Sequence, residues 1–243
     1  MTSSDYLIGE LTMDSPRNLR RSLWSALWPW TPQRRQSASW RSHVERLESR
    51  RLLTQYDVGP GLAYTSIGEV PWDGLQAGDT VSIHYRPTAY HETILISGNG
   101  TAAAPIRVIG VAGPNGERPI IDGDNAVVDP DLHYVYSGIP TRGLVTISPN
   151  NSFTWGDKPS YIEISGLEIR NAHLGNSLIR SGTAVPYLAN AAGIYVERGE
   201  HITISNCEID HNSNGLFVAS GGDEATQSRE ILVQGNYTSR GEE

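Results

Sequence analysis

The densest set of potential metal ligands lies in IDGDNAVVDPD, Ile121 to Asp131, where Asp122, Asp124, Asp129 and Asp131 surround Asn125. Oxygen donors this close together suit a hard cation such as calcium, which takes about six to eight of them. The four aspartates are therefore candidate metal ligands. Their spacing is not that of an EF-hand loop, and Asp122-Gly123 also reads as the ordinary turn that ends a strand. A second constellation is Asp210-His211-Asn212, followed by Arg229 and Glu230. Imidazole titrates near neutrality and can act as a base, so Asp210, His211 and Arg229 are the candidate catalytic residues. The same triplet suits a solvent-facing corner. A third set, Trp155, Lys158 and Tyr161 in TWGDKPSYIE, places aromatic rings beside charge, as a sugar-binding surface does. Lys158 is the only lysine in the chain and hence its only possible lysine base.

These residues need a frame to hold them. In AGIYVERGEHITISNCEIDHNSNGLFV, Ala192 to Val218, short apolar runs are cut by Gly, Asn or charge, and none could bury a face alone. ISGLEIRNA at Ile164, ISNCEIDHN at Ile204 and VQGNYTSRG at Val233 repeat one pattern, and GIYV at Gly193 returns as GLFV at Gly215. Recurrences at these intervals, with β-branched residues, mark a solenoid whose turns cover one another. The unequal steps assign loops of unequal length, the longest from Asn171 to Ala192. Stacking predicts inward ladders of Ile164, Ile204 and Val233, and of Leu167, Cys207 and Asn236. Asn206, Asn212 and Asn214 suit corners, with Asn171 and Asn212 read as matching positions.

Composition narrows the class. The 25 glycines and 14 prolines among 243 residues favour turn-rich β structure. A formal net charge of -8 argues against general nucleic-acid binding, which needs a basic surface. Cys207, the only cysteine, excludes an intrachain disulfide and reads as a small buried hydrophobe. The segment from Met1 to Asp57 differs from the rest: it is rich in Arg and Trp, with no β alternation. SLWSALWPW after RNLRR is too short and too interrupted for a good signal sequence, and far too short to span a bilayer. SHVERLESRRLL, Ser42 to Leu53, has the spacing of a marginal amphipathic helix. From Gly74 the alternation is that of strands, at Val81, Ile83 and Tyr85 and at Ile94 and Ile96, with turns at Gly98 to Gly100 and Pro114 to Gly116.

Two stretches carry resemblances. VERLESRRLL, Val44 to Leu53, resembles a Leu-Glu-x-Arg-x-Leu-Leu segment near the start of exported bacterial surface proteins. That resemblance implies a targeting or processing segment over residues 1–57 and a secreted or cell-surface location. LQAGDTVSIHYRPTAYHETILISGNGTAAAPIRVIG with GERPIIDG, Leu75 to Gly123, resembles the opening turns of right-handed parallel β-helix proteins of the pectate lyase and chondroitinase B type. YIEISGLEIRNA and HITISNCEIDHNSNGLFV are similar to their central turns. The resemblance implies an all-β, right-handed parallel β-helix over residues 58–243 and polysaccharide as partner. In lyases of this fold a basic residue removes a proton beside a uronate carboxylate, commonly assisted by calcium. The leading expectation is thus calcium-assisted β-elimination of an acidic polysaccharide. A non-catalytic adhesion module, or a glycoside hydrolase using Asp210 with Asp223 or Glu224, are the alternatives. The pattern is still repeating at Glu243, which predicts a longer solenoid.

Overall fold

The computed structural model describes residues 53–240, apart from 153, 155 and 156. The expected targeting segment lies outside the described residues up to residue 52. Over the described residues, the chain is all-β with mainly parallel sheets. Strand β1 is Gln55–Val58, and after two short 3-10 turns come β2 (Thr80–His84) and β3 (Ile94–Ile96). The next circuit holds β4 (Ile106–Val111), β5 (Ile120–Asp122), β6 (Ala126–Val128) and β7 (Gly143–Ile147). Another holds β8 (Ser160–Ser165), β9 (Glu168–Arg170), β10 (Ser177–Arg180), β11 (Thr183–Pro186) and β12 (Ala192–Val196). Then follow β13 (Glu200–Ser205), β14 (Glu208–Asn212) and β15 (Asn214–Val218), and finally β16 (Arg229–Gln234) and β17 (Tyr237–Arg240).

Each circuit sends one strand to the same sheet as the circuit before it. The first sheet runs β1-β2-β4-β8-β13-β16, the second β5-β9-β14-β17 and the third β3-β7-β12-β15. All three are parallel throughout. This cyclic order is compatible with a parallel β-helix. The antiparallel pairing of β10 with β11 is a hairpin inside the long Asn171–Ala192 connection. Its two turn residues, Ser181 and Gly182, have φ 49° and 76°, the backbone that a two-residue hairpin needs.

The repeat steps read from the sequence are the strand registers. Ile164, Ile204 and Val233 face one another across β8, β13 and β16. Ile194 faces Leu216 across β12 and β15. Below the first sheet lie two apolar ladders, Val81-Val108-Ile164-Ile204 and Ile106-Ile162-Ile202, all fully buried. Ile121-Ile169-Ile209 and Val145-Ile194 supply the core from the other two sheets. A β-branched side chain stacked on its like fills each layer without bending χ1 from its preferred rotamer. Val233, on an outermost strand, is half exposed. Cys207 lies in the core as expected, and burial pushes its thiol pKa up. Among the described residues no helix is long and apolar enough to cross a membrane.

The corner asparagines need one correction. The step that carries Ile164 to Ile204 places Asn171 beside His211, and the two share left-handed backbone at φ 67° and 49°. Asn212 instead sits beside Ala172, buried, with its amide bonded to the neighbouring circuit. Asn171 and Asn212 share a residue type but lie one register position apart. Asn206 does occupy a corner, at φ 50°, between Gly166 and Gly235 at φ 74° and 63°.

Glu92 carries the one buried polar side-chain atom left without a hydrogen bond among the described residues, its Oε2. Burial raises the carboxyl pKa above its ordinary value despite Arg86 and His91 nearby. A raised folded pKa stabilises the fold below the unfolded pKa, and that contribution is lost as pH rises through the folded value. Glu92→Gln is therefore expected to raise the thermal unfolding midpoint at pH 7, with the gain vanishing near about pH 4. A gain independent of pH between those values would refute this account.

Candidate functional site

The outer face of the first sheet carries a groove of about 480 Å³, within the usual size range of ligand sites. Its residues follow from the register. Glu200 pairs with Ser160 and with Arg229, so the next residues, Tyr161, His201 and Glu230, lie side by side on β8, β13 and β16. All three have left-handed backbone, at φ 51°, 54° and 52°. Non-glycine residues rarely hold this conformation, and it persists only where the surrounding structure imposes it. One row further along, Glu163 and Thr203 project beside Leu232.

Within the groove the Tyr161 and His201 rings stack at 4.3 Å between centroids and 14° between planes. The His201 Nδ1 lies 2.6 Å from the Glu230 carboxylate. Arg107 Nε donates to Glu163 Oε2 at 2.8 Å. Thr101, Ala102 and Pro105 form the groove wall on the β4 side of β8, whereas His201 lies on the β13 side. This wall is fixed by a close approach: a Cβ on Gly100 would lie 2.4 Å from the Tyr161 carbonyl oxygen. The Gly100 N–H donates to the Ser160 carbonyl at 2.7 Å, and Thr101 and Ala104 close a two-residue turn. Stacked rings flanked by carboxylates and hydroxyls can hold an apolar face and bond to polar groups at its edge.

The sequence-derived candidates are dispersed. Tyr161 is in the groove, and Trp155 lies outside the described residues. Lys158, largely buried, is 3.4 Å from Glu200 and donates to the Gln227 carbonyl at 3.3 Å. It ties the start of β8 to its neighbours and does not line the groove. Asp210 and His211 sit on the second sheet, where both Asp210 oxygens turn to His211, one to its N–H at 2.8 Å and one to Nδ1 at 2.7 Å. Arg229 is on the first sheet, paired with the exposed Glu224 at 3.0 Å, so the expected catalytic trio is not gathered. Asp223 caps Thr226 through both its N–H and its hydroxyl, which lowers the Asp223 pKa.

Nor do the four aspartates converge. Asp122 is buried and accepts bonds from Arg170, Asn171 and the Asp124 N–H. Asp129 accepts the Asp131 N–H at 2.8 Å, the ordinary bond of an Asx turn. Among the described residues, no group of three or more His, Cys, Asp or Glu side chains is placed to hold a metal ion.

His201, Glu230 and Glu163 were not singled out from the sequence as groove residues. The signal was present: the steps that carry Ile164 to Ile204 and Ile204 to Val233 also carry Tyr161 to His201 and His201 to Glu230. Compared with known proteins, the chain matches no family model, no curated protein and no solved structure.

Proposed function

We propose that this chain is an exported right-handed parallel β-helix that binds polysaccharide along its six-stranded sheet, as a binding module and not as a lyase. The cyclic strand order supports the β-helix, and the strong bias of parallel crossovers supports its hand. The observation that carries the binding reading is the Tyr161–His201 stack set in a groove between carboxylates and hydroxyls. Sugars offer an apolar C–H face and a rim of hydroxyls, and such a groove can meet both. The side chains suited to catalysis are engaged elsewhere, Arg229 with Glu224 and Asp210 with its neighbour His211, and the only lysine, Lys158, is engaged with Glu200. Calcium has no role in this reading, because Asp122 serves an ion pair, Asp129 serves a turn, and the four aspartates do not converge.

The test is affinity electrophoresis of the full chain through gels containing soluble polysaccharides. Retardation by at least one is expected. Tyr161→Ala should weaken it about tenfold, the order of an aromatic contact plus its buried area, while Tyr161→Phe retains most of it. A Tyr161→Ala variant that keeps its circular dichroism spectrum and its full retardation would overturn the proposal. The binding reading also expects no unsaturated product by ultraviolet absorbance and no new reducing ends from the retarding polysaccharide.

A further inference from the structure

We infer that the groove selects an uncharged polysaccharide and disfavours polyuronates, an inference that rests on the binding function proposed above. The groove lining contains two carboxylates, Glu163 and Glu230, and neither lysine nor arginine. The basic groups beside these carboxylates are committed: Arg107 bonds Glu163 at 2.8 Å, and the His201 Nδ1 lies 2.6 Å from Glu230. A uronate chain brings one carboxylate per sugar, and its binding normally draws on arginine or lysine that can meet that carboxylate directly. Here it would meet like charge instead. At contact distance in water, one such pair costs about fivefold in affinity; Arg107 offsets much of the repulsion from Glu163, so Glu230 supplies most of it.

What the groove offers suits hydroxyls. Glu163 and Glu230 accept, while the hydroxyls of Thr101 and Thr203 either donate or accept, and each can pair with a sugar hydroxyl. The apolar lining then covers the C–H face beside the aromatic stack. An uncharged glycan uses all of these groups and leaves none facing a like charge. The formal net charge of -8 adds a long-range repulsion of the same sign.

The experiment compares uncharged glucans, mannans and xylans with polygalacturonate and alginate by titration calorimetry, at about 20 mM and about 500 mM salt, using the full chain and Tyr161→Ala. An uncharged polysaccharide is expected to bind at least about fivefold more tightly than either polyuronate at low salt. Screening at high salt should shrink that gap, and Glu230→Gln should reduce the ratio of the two affinities about fivefold. Polyuronate binding equal to or tighter than that of every uncharged glycan, and lost in Tyr161→Ala, would overturn the selectivity and leave the binding function standing. Binding of neither class would overturn the binding function itself.

Discussion

Asn212→Leu is expected to destabilise the fold by about 2–5 kcal/mol, measured by urea unfolding, because it strands two buried backbone groups. Asn212 is buried, and its side chain bonds the backbone of the neighbouring circuit twice. Its Oδ1 accepts the Ala172 N–H at 2.8 Å, and its Nδ2 donates to the Ile169 carbonyl at 3.0 Å. Leucine fills nearly the same volume but leaves both backbone groups buried without partners, each costing about 1–3 kcal/mol. Asn236 makes the equivalent pair of bonds in the next circuit, accepting from the Cys207 N–H and donating to the Ile204 carbonyl. Asn236 is itself only partly buried, so Asn236→Leu should cost less, because water can enter from the exposed side of the side chain to replace part of the lost amide bonding. Equal losses at the two positions would contradict a role set by burial.

That contrast shows what the sequence could and could not carry. The steps from Ile164 to Ile204 to Val233, and from Gly193 to Gly215, were legible because stacked strands need like residues at like positions, and Ile164 above Ile204 is a packing requirement. The corner amides were legible as a class, since Asn tolerates left-handed backbone and bonds its neighbours. Which asparagine faced which was not, because Asn212 acts through a side-chain bond beside the corner that His211 occupies. Tyr161 was found from its chemistry alone. His201 and Glu230 were hidden because their side chains resemble nothing in Tyr161, and only the backbone position unites them. The aspartates of Asp122 to Asp131 misled for the opposite reason. They are close in sequence, yet Asp122 turns to Arg170 and Asn171, Asp124 to Asn125 and Asp129 to the Asp131 N–H, so the cluster is not gathered.

The second large effect is expected at Arg170, which bridges the buried Asp122 at 2.9 Å and Glu168 at 2.9 Å on the second sheet. Arg170→Met keeps the apolar stem but leaves Asp122 charged and without its cation. Loss of one partner from a buried pair costs about 3–5 kcal/mol; with Arg170 a third exposed, about 2–3 kcal/mol is expected at pH 7. The pH dependence has a definite sign. Burial alone would raise the Asp122 pKa, but bonds from Asn171, the Asp124 N–H and Arg170 outweigh it and hold the carboxyl below its ordinary 3.8. Its contribution is present above that unfolded value and is lost as pH falls through the lower folded one. Glu168 is the reverse case: burial raises it, Arg170 offsets some of that rise, and Glu208 adds to it. Its contribution is present below the unfolded value and lost as pH rises through the raised folded one. Without Arg170 both carboxyls move upward, so the deficit should be largest at neutral pH, shrink as pH falls through the raised values, and close only below 3.8, where Asp122 protonates in the unsubstituted chain too. Asp122→Asn combined with Arg170→Met should then recover much of the loss, since it removes the stranded charge. A deficit that stays constant from pH 7 to pH 4, with no recovery in the double variant, would assign Arg170 to packing of its stem instead.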